Sequence, residues 1–284
     1  MAISAIVIAD STNKQGARLT TVQARYPEII HNELLTHRAF SRNASSSRAI
    51  PVERLIQDVL DDPFIPNSWP INRPGMTAVE VAGEKLARGS KALWLKARND
   101  AVDTARTLSI AGVHKQIANR LLQPWKYINV VISSTEWENF FALRCHADAQ
   151  PEMQELAFAI RSARAASVPK LLHPGEWHTP YVPADKLQSA SVDWAFVIKL
   201  SVARCARVSY LTHEGKPSNV DDDLRLHDRL VGAVPLHASP AEHQATPDVV
   251  TSTGSGDRWH DEDMRGNFEP GWVQYRKILE ANLR

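Results

Sequence analysis

The chain has 284 residues, 43% of them hydrophobic, and its 33 Lys plus Arg against 32 Asp plus Glu give a formal charge of +1. That length and apolar share suffice for a buried core, while the balanced charge excludes a chain-wide attraction to nucleic acid or membrane, so any anion site has to be local. Two cysteines, Cys145 and Cys205, with no CxxC and no zinc spacing, exclude a disulfide scaffold and a structural metal, and fit a reducing cytoplasm.

The apolar start MAISAIVIA lacks a basic leader, and no run approaches about 18 apolar residues, so a soluble, untargeted protein is expected. ISAIVIAD (3–10) and ARLTTVQARYP (17–27) read as β-branched strands, the second stopped by Pro27. Ile30, Leu34 and Leu35 then fall at helical spacing; this helix should end near residues 37–40 and deliver THRAFSRNASSSRAIP (36–51) into a loop. A second helix is expected over 52–60, and the proline-free stretch 77–110, rich in Ala, Leu, Lys, Glu and Arg, reads as a long one interrupted at Gly112.

VHKQIANRLLQP reads as a shorter helix with Arg120 near its end, stopped by Pro124, and WKYINVVIS as a strand. STEWENFFALR looks helical, with a capping-box spacing from Ser134 to Glu138 that is one residue off the ideal; QPEMQELAFAIRSARAA is an amphipathic helix with Pro151 in its first turn. The last third alternates three turn-rich stretches, HPGEWHTPYVP, HEGKPSNVDDD and TPDVVTSTGSGDRWHDED, read as loops, with the helices DWAFVIKLSVARCARVS and DDDLRLHDRLVGA. No tandem repeat is evident.

The segment 36–51 concentrates donors. His37 and Arg38, followed by Ser41, Asn43, Ser46 and Arg48, would offer guanidinium forks and hydroxyl or amide groups to phosphates; a solvated polar loop is the other reading of the same spacing. Arg144 closes an apolar helical stretch and either points into a cleft or simply complements the helix dipole. Cys145 beside His146 invites a nucleophile, but adjacent helical residues point about a hundred degrees apart, which favours a packing role. The eleven histidines form no metal pattern, and HDED at 260–263 reads as a solvated run.

These residues resemble a known family, the flavin-dependent thymidylate synthases, whose signature has the form RHRxxSxNExSxR. Here THRAFSRNASSSR matches it at His37, Arg38, Ser41, Asn43, Ser46 and Arg48. ANRLLQP resembles the family's Arg-x-x-Leu-Pro segment through Arg120, and NFFALRCHADAQPEMQELA its Asn-Phe-x-x-Leu-Arg…Ala-Gln-x-Glu helix. ARCARVSY with LHDRLVGAVPLHASPAEHQATP resembles the usual family opening but stands near the C-terminus, as in a circular permutation returning Ser209 and His243 to the site.

The resemblance implies an α/β (α+β) fold with a mixed central sheet and long flanking helices, a single domain over 1–284 with the usual N-terminal element at about 195–250, and a homotetramer. It implies FAD, reduced by NADPH, moving a one-carbon unit from methylenetetrahydrofolate to C5 of dUMP. His37, Arg38, Asn43, Asn139, Ser209 and His243 would bind the flavin; Glu33, Ser46, Arg48 and Arg120 would bind the nucleotide; Arg144 would favour the ionised pyrimidine as the catalytic residue. No metal is implied. The departures are Thr36 for Arg, Ala44 for Glu and Ala49 for a frequent Tyr, with Glu33 where some members have a nucleotide-contacting Gln. They keep open dCMP or UMP as acceptor, a hydroxymethyl product, and a catalytically silent flavin or nucleotide binder. A thiol-dependent methylase using Cys145 is the rival chemistry.

Overall fold

The structure is a computed structural model, and it describes residues 3–74, 81–183, 187, 192–208, 218–253 and 256–283. Strand β1 (Ser4–Thr12) turns into β2 (Arg18–Pro27) through Asn13, whose Oδ1 accepts from the Gln15 and Ala17 amides at 3.1 and 3.0 Å. A 3-10 turn (Glu28–Ile30) and the single helical turn α1 (His31–Leu34) follow where one longer helix is expected. Next come β3 (Ser41–Ala44), α2 (Val52–Asp61) and α3 (Glu84–Ile110). The first part of the expected long helix, 77–80, lies outside the described residues. Its far end closes at Gly112, φ +83°, where the Val113 amide reaches Leu108 O and the Gly112 amide Ser109 O, a left-handed cap that needs a glycine.

One turn, α4 (Lys115–Ala118), and a 3-10 stretch (Asn119–Trp125) lead into β4 (Tyr127–Ser134); Pro124 sits inside that stretch instead of ending a helix. Helices α5 (Glu138–Arg144) and α6 (Pro151–Ala166) come next, then the two-residue β5 (Lys170–Leu171). No capping box forms at Ser134, because its Oγ accepts from the Glu136 amide and α5 starts only after Trp137.

The sheet order is β3-β4-β2-β1-β5, antiparallel except for β5 alongside β1, a mixed sheet as expected. Strand periodicity decides what covers each face. Ile128, Val130 and Ile132 of β4 pack with Val22, Ala24 and Tyr26 under α5 and α6, while Val131 faces Tyr181, Cys205 and Val208 on the side of α7 (Trp194–Arg207). A second core joins α2, α3 and the 3-10 stretch through Val59, Val102, Leu122 and Trp125.

The C-terminal part holds α8 (Val220–Val231), a 3-10 turn (Ser239–Glu242), and short strands β6 (Ala245–Pro247), β7 (Val250–Thr253), β8 (Gly256–Trp259) and β9 (Trp272–Gln274). Helix α9 (Tyr275–Ala281) ends it. Two of the expected loops are therefore partly strand: β3 within 36–51, which borrows its partner from β4, and most of β6 with β7 and β8 in 246–263. Among the described residues no helix is long and apolar enough to cross a membrane.

Candidate active site

The signature segment is divided by β3 into two unlike halves. In the first, α1 ends in a turn closed by the His37 amide on Leu34 O and the Phe40 amide on His37 O. The aromatic face of α5 anchors that turn: Phe40 lies 4.7 Å from Trp137 and 5.2 Å from Phe140, ring centre to centre, and His37 meets Phe140 edge-on at 4.9 Å. His37 is thereby 8% exposed.

Arg144, at the far end of α5, donates Nε–H to His37 Nε2 at 3.0 Å, and its Nη1 forms a salt bridge with Glu33 Oε1. Accepting that bond leaves the neutral imidazole with its proton on Nδ1. The electrostatics agree: burial first, then the Arg144 and Arg42 charges, push His37 down to about 4. Arg42 secures the turn from behind, donating to His37 O at 2.8 Å and Leu35 O at 3.1 Å.

Around this triad opens a groove of about 470 Å³, bounded by His37, Arg38, Asn139 and Arg144, with Phe40, Phe140 and Leu143 as apolar lining. Arg38 and Asn139 are exposed and make no hydrogen bond with the described residues, so their donors are available. Glu136, Glu138 and Glu269 also line the groove; burial, followed by repulsion from the other two, raises the Glu269 carboxyl above its usual range.

In the second half the chain turns outward. The Ser45 amide still reaches Asn129 O at 2.8 Å, but Ser46 and Arg48 are exposed, joined by the Arg48 amide on Ser46 Oγ. Asn119, fully buried, donates to Ser47 O at 2.7 Å and Ile50 O at 3.0 Å, and Lys115 Nζ to Ala49 O at 3.1 Å. One side chain thus staples the loop bearing Arg48 to the segment bearing Arg120. Arg120, exposed, borders a pocket of about 350 Å³ with Glu28, His31, Asn32 and Gln123.

Of the residues expected at the site, His37, Arg38, Asn139, Arg144 and Glu33 are gathered at the first half; Ser46 and Arg48 lie on the second, whose backbone Asn119 ties to the segment of Arg120, while Arg120 itself lines the pocket with Glu28 and His31. Asn43 sits within β3 opposite Val131 and does not border the groove. His243 is fully buried, its Nδ1 2.8 Å from Ser133 Oγ and its Nε2 without a partner among the described residues, and it too stays off the groove wall. Ser209 lies outside the described residues.

Sequence reasoning missed Asn119, Lys115 and Glu269. An asparagine beside Arg120 in a helical pattern is the one signal the sequence offers. Cys145 is an unactivated thiol, raised by burial, and Cys205 is buried and raised further. Among the described residues no three His, Cys, Asp or Glu could hold a metal, 260–263 included.

Residues 19–170, just over half of the chain, match the Thy1 family, described as thymidylate synthase complementing protein. The chain belongs to this family. Both halves of the candidate site described above, except Glu269, fall inside the matched segment. No curated protein matches the chain in sequence. Solved structures similar to it include a UMP/dUMP methylase PolB from Streptomyces cacaoi bound with 5-Br dUMP, at 18% identity and a TM-score of 0.42, over 52% of this chain and 67% of that one. The same methylase bound with 5-Br UMP gives 15% and 0.49 over 57% and 88%. Likeness at that level is no guide to what this Thy1 member acts on.

Proposed function

We propose that the chain transfers a one-carbon unit from methylenetetrahydrofolate to C5 of a pyrimidine nucleotide, dUMP first among acceptors, with FAD as cofactor and NADPH as reductant. The observation that carries the reading is Arg144, a guanidinium fixed by His37 and Glu33 at the wall of a groove that also offers the free donors of Arg38 and Asn139. The donor set suits a flavin: Arg38 and Asn139 would hold its anionic and carbonyl groups, and Phe40 and Phe140 give the groove an apolar lining. Bound there, FAD supplies the redox chemistry that converts the transferred carbon to methyl.

The chain's own residues do the rest. Arg144 stabilises negative charge on the pyrimidine ring, which no thiolate is needed to attack. Neutral His37 fixes the guanidinium's plane and presents Nδ1–H. Ser46, Arg48 and Arg120 hold the phosphate, on two backbone segments that Asn119 ties to each other. We also propose a single domain over 1–284 and a cytoplasmic homotetramer. Helix α7 packed against the sheet beside Val131 supports the first.

Glu33 supports a second reading. A carboxylate only accepts, whereas uracil presents acceptor, donor, acceptor along O4, N3–H and O2. Beside Arg144, Glu33 better complements a 4-amino pyrimidine, whose amine donates while N3 and O2 accept, so dCMP is the alternative acceptor. Anaerobic incubation with FAD, NADPH, methylenetetrahydrofolate and dUMP, dCMP or UMP in turn, followed by mass analysis, decides. One methyl gained on dUMP supports the first reading and a gain on dCMP the second. A hydroxymethyl product alters the final reduction, and bound flavin without product means a silent binder.

A further inference from the structure

Everything after residue 170 lies outside the segment that matches the family, yet the strap between the turn Glu262–Met264 and β9 reaches the signature motif. Asn267 donates Nδ2 to Ala39 O at 2.9 Å, and its Oδ1 accepts from Ser41 Oγ at 3.0 Å and from Gln274 Nε2 at 2.9 Å. Ala39 and Ser41 flank Phe40, so one carboxamide grips the motif on both sides of the ring that seats the turn.

The grip is itself supported. Gln274, 1% exposed, also donates to Glu242 O at 3.0 Å. Gly266 stands at φ +64°, and a β-carbon there would overlap the Gln274 carboxamide, so a larger residue at this place would displace the amide that supports Asn267. Downstream, the Glu269 amide donates to Thr135 Oγ1 at 2.9 Å, and Asn13 Nδ2 to Gly271 O at 3.0 Å. The strap is pinned along its length, and it is Asn267 that meets the motif on both sides of Phe40, at the Ala39 carbonyl and, together with Gln274, at the Ser41 hydroxyl.

We propose that Asn267 is a positioning residue: it fixes the turn carrying His37 and Arg38, and so sets the geometry of the groove. This rests on the groove being the flavin and pyrimidine site proposed above. The hydroxyl of Ser41 then has a function of its own, as the motif's contact with the strap.

The test uses the full chain with Asn267→Ala and, as a control that loosens the strap elsewhere, Thr135→Val. Amide hydrogen exchange at Phe40, whose N–H closes the turn on His37 O, reads the turn directly. FAD affinity, from the visible spectrum on titration, reads the groove. Asn267→Ala should speed Phe40 exchange and weaken FAD binding by about tenfold each, with Thr135→Val within about twofold of the unaltered chain on both. Unchanged exchange at Phe40 overturns the proposal. So does faster exchange with unchanged FAD affinity, or an equal loss in Thr135→Val. Should Asn267→Ala fail to fold, Ser41→Ala removes one arm of the grip and is read the same way. If the unaltered chain binds no FAD, the flavin reading fails instead, and Phe40 exchange alone decides whether Asn267 holds the turn.

Discussion

The two ends of β3 use similar residues in opposite surroundings. At one end, the dry one, His37 is desolvated against Phe40 and Phe140 and holds the partly buried Arg144; at the other, the wet one, Ser46, Arg48 and Arg120 stand in solvent, with the Arg48 amide on Ser46 Oγ. Four residues of strand, roughly 13 Å at about 3.3 Å each, separate them. The difference assigns the labour: a guanidinium pre-oriented by a buried imidazole is suited to charge developing during reaction, and exposed guanidinium groups to capturing a phosphate.

Removing the dry end should cost most. Arg144→Ala is expected to lower kcat by about two to three orders of magnitude, the usual loss when one pre-organised donor to developing charge is removed, with little change in nucleotide KM. Initial rates across a nucleotide titration check this, and a KM effect alone would merge the two ends into one binding surface. Arg48→Ala and Arg120→Ala should do the converse, each raising nucleotide KM about ten- to a hundredfold through one lost charge-assisted bond while kcat holds. Asn119→Ala, which frees the loop without touching a charge, should show a weaker form of the same KM effect.

Acid sharpens the contrast through His37, although His31 at the Arg120 pocket is lowered too, by burial and then by the Arg42 charge. His37 lies near 4 against an ordinary value of about 6.5. The unfolded chain therefore binds the extra proton first as pH falls; the stability due to neutral His37 is complete above about 6.5 and lost on the way down through 4. The buried pair His178 and His243, each pushed by burial to about 3, adds to the loss below 6.5. Urea unfolding at pH 7, 5.5 and 4.5 should show stability dropping by up to about 1.4 kcal/mol per pH unit for each such histidine. Phosphate capture at the wet end, resting on arginines, should persist over the same interval.

Periodicity made much of this molecule legible. β1, β2, β4, α2, α6, α7 and α8 stand close to where apolar spacing and prolines put them. β3 was not legible, since Ser-Arg-Asn-Ala has no apolar alternation and becomes a strand only because β4 offers an edge. The three-residue strands β6 and β9 hide for the same reason. At the site, the motif residues could be read from resemblance, but their partners could not. Glu33 and Arg144 are 111 residues apart in sequence and Ser41 and Asn267 are 226 apart, and no local spacing encodes such pairs.

The smallest expected effect tests whether the dry end works without a nucleophile of its own. Cys145 caps the helix that carries Arg144, and its thiol is the one candidate near the groove for a thiol-dependent methylase. A thiolate attacks and a thiol does not, and burial moves Cys145 away from ionisation, with the Arg161 charge only partly opposing it. Cys145→Ala should therefore keep kcat within about twofold, whereas a nucleophile's removal abolishes turnover. Assayed beside Arg144→Ala, the pair separates two chemistries that share one short helix: a collapse at Cys145 with mild loss at Arg144 would reverse the roles assigned here, and the predicted order leaves the guanidinium as the group that lowers the barrier.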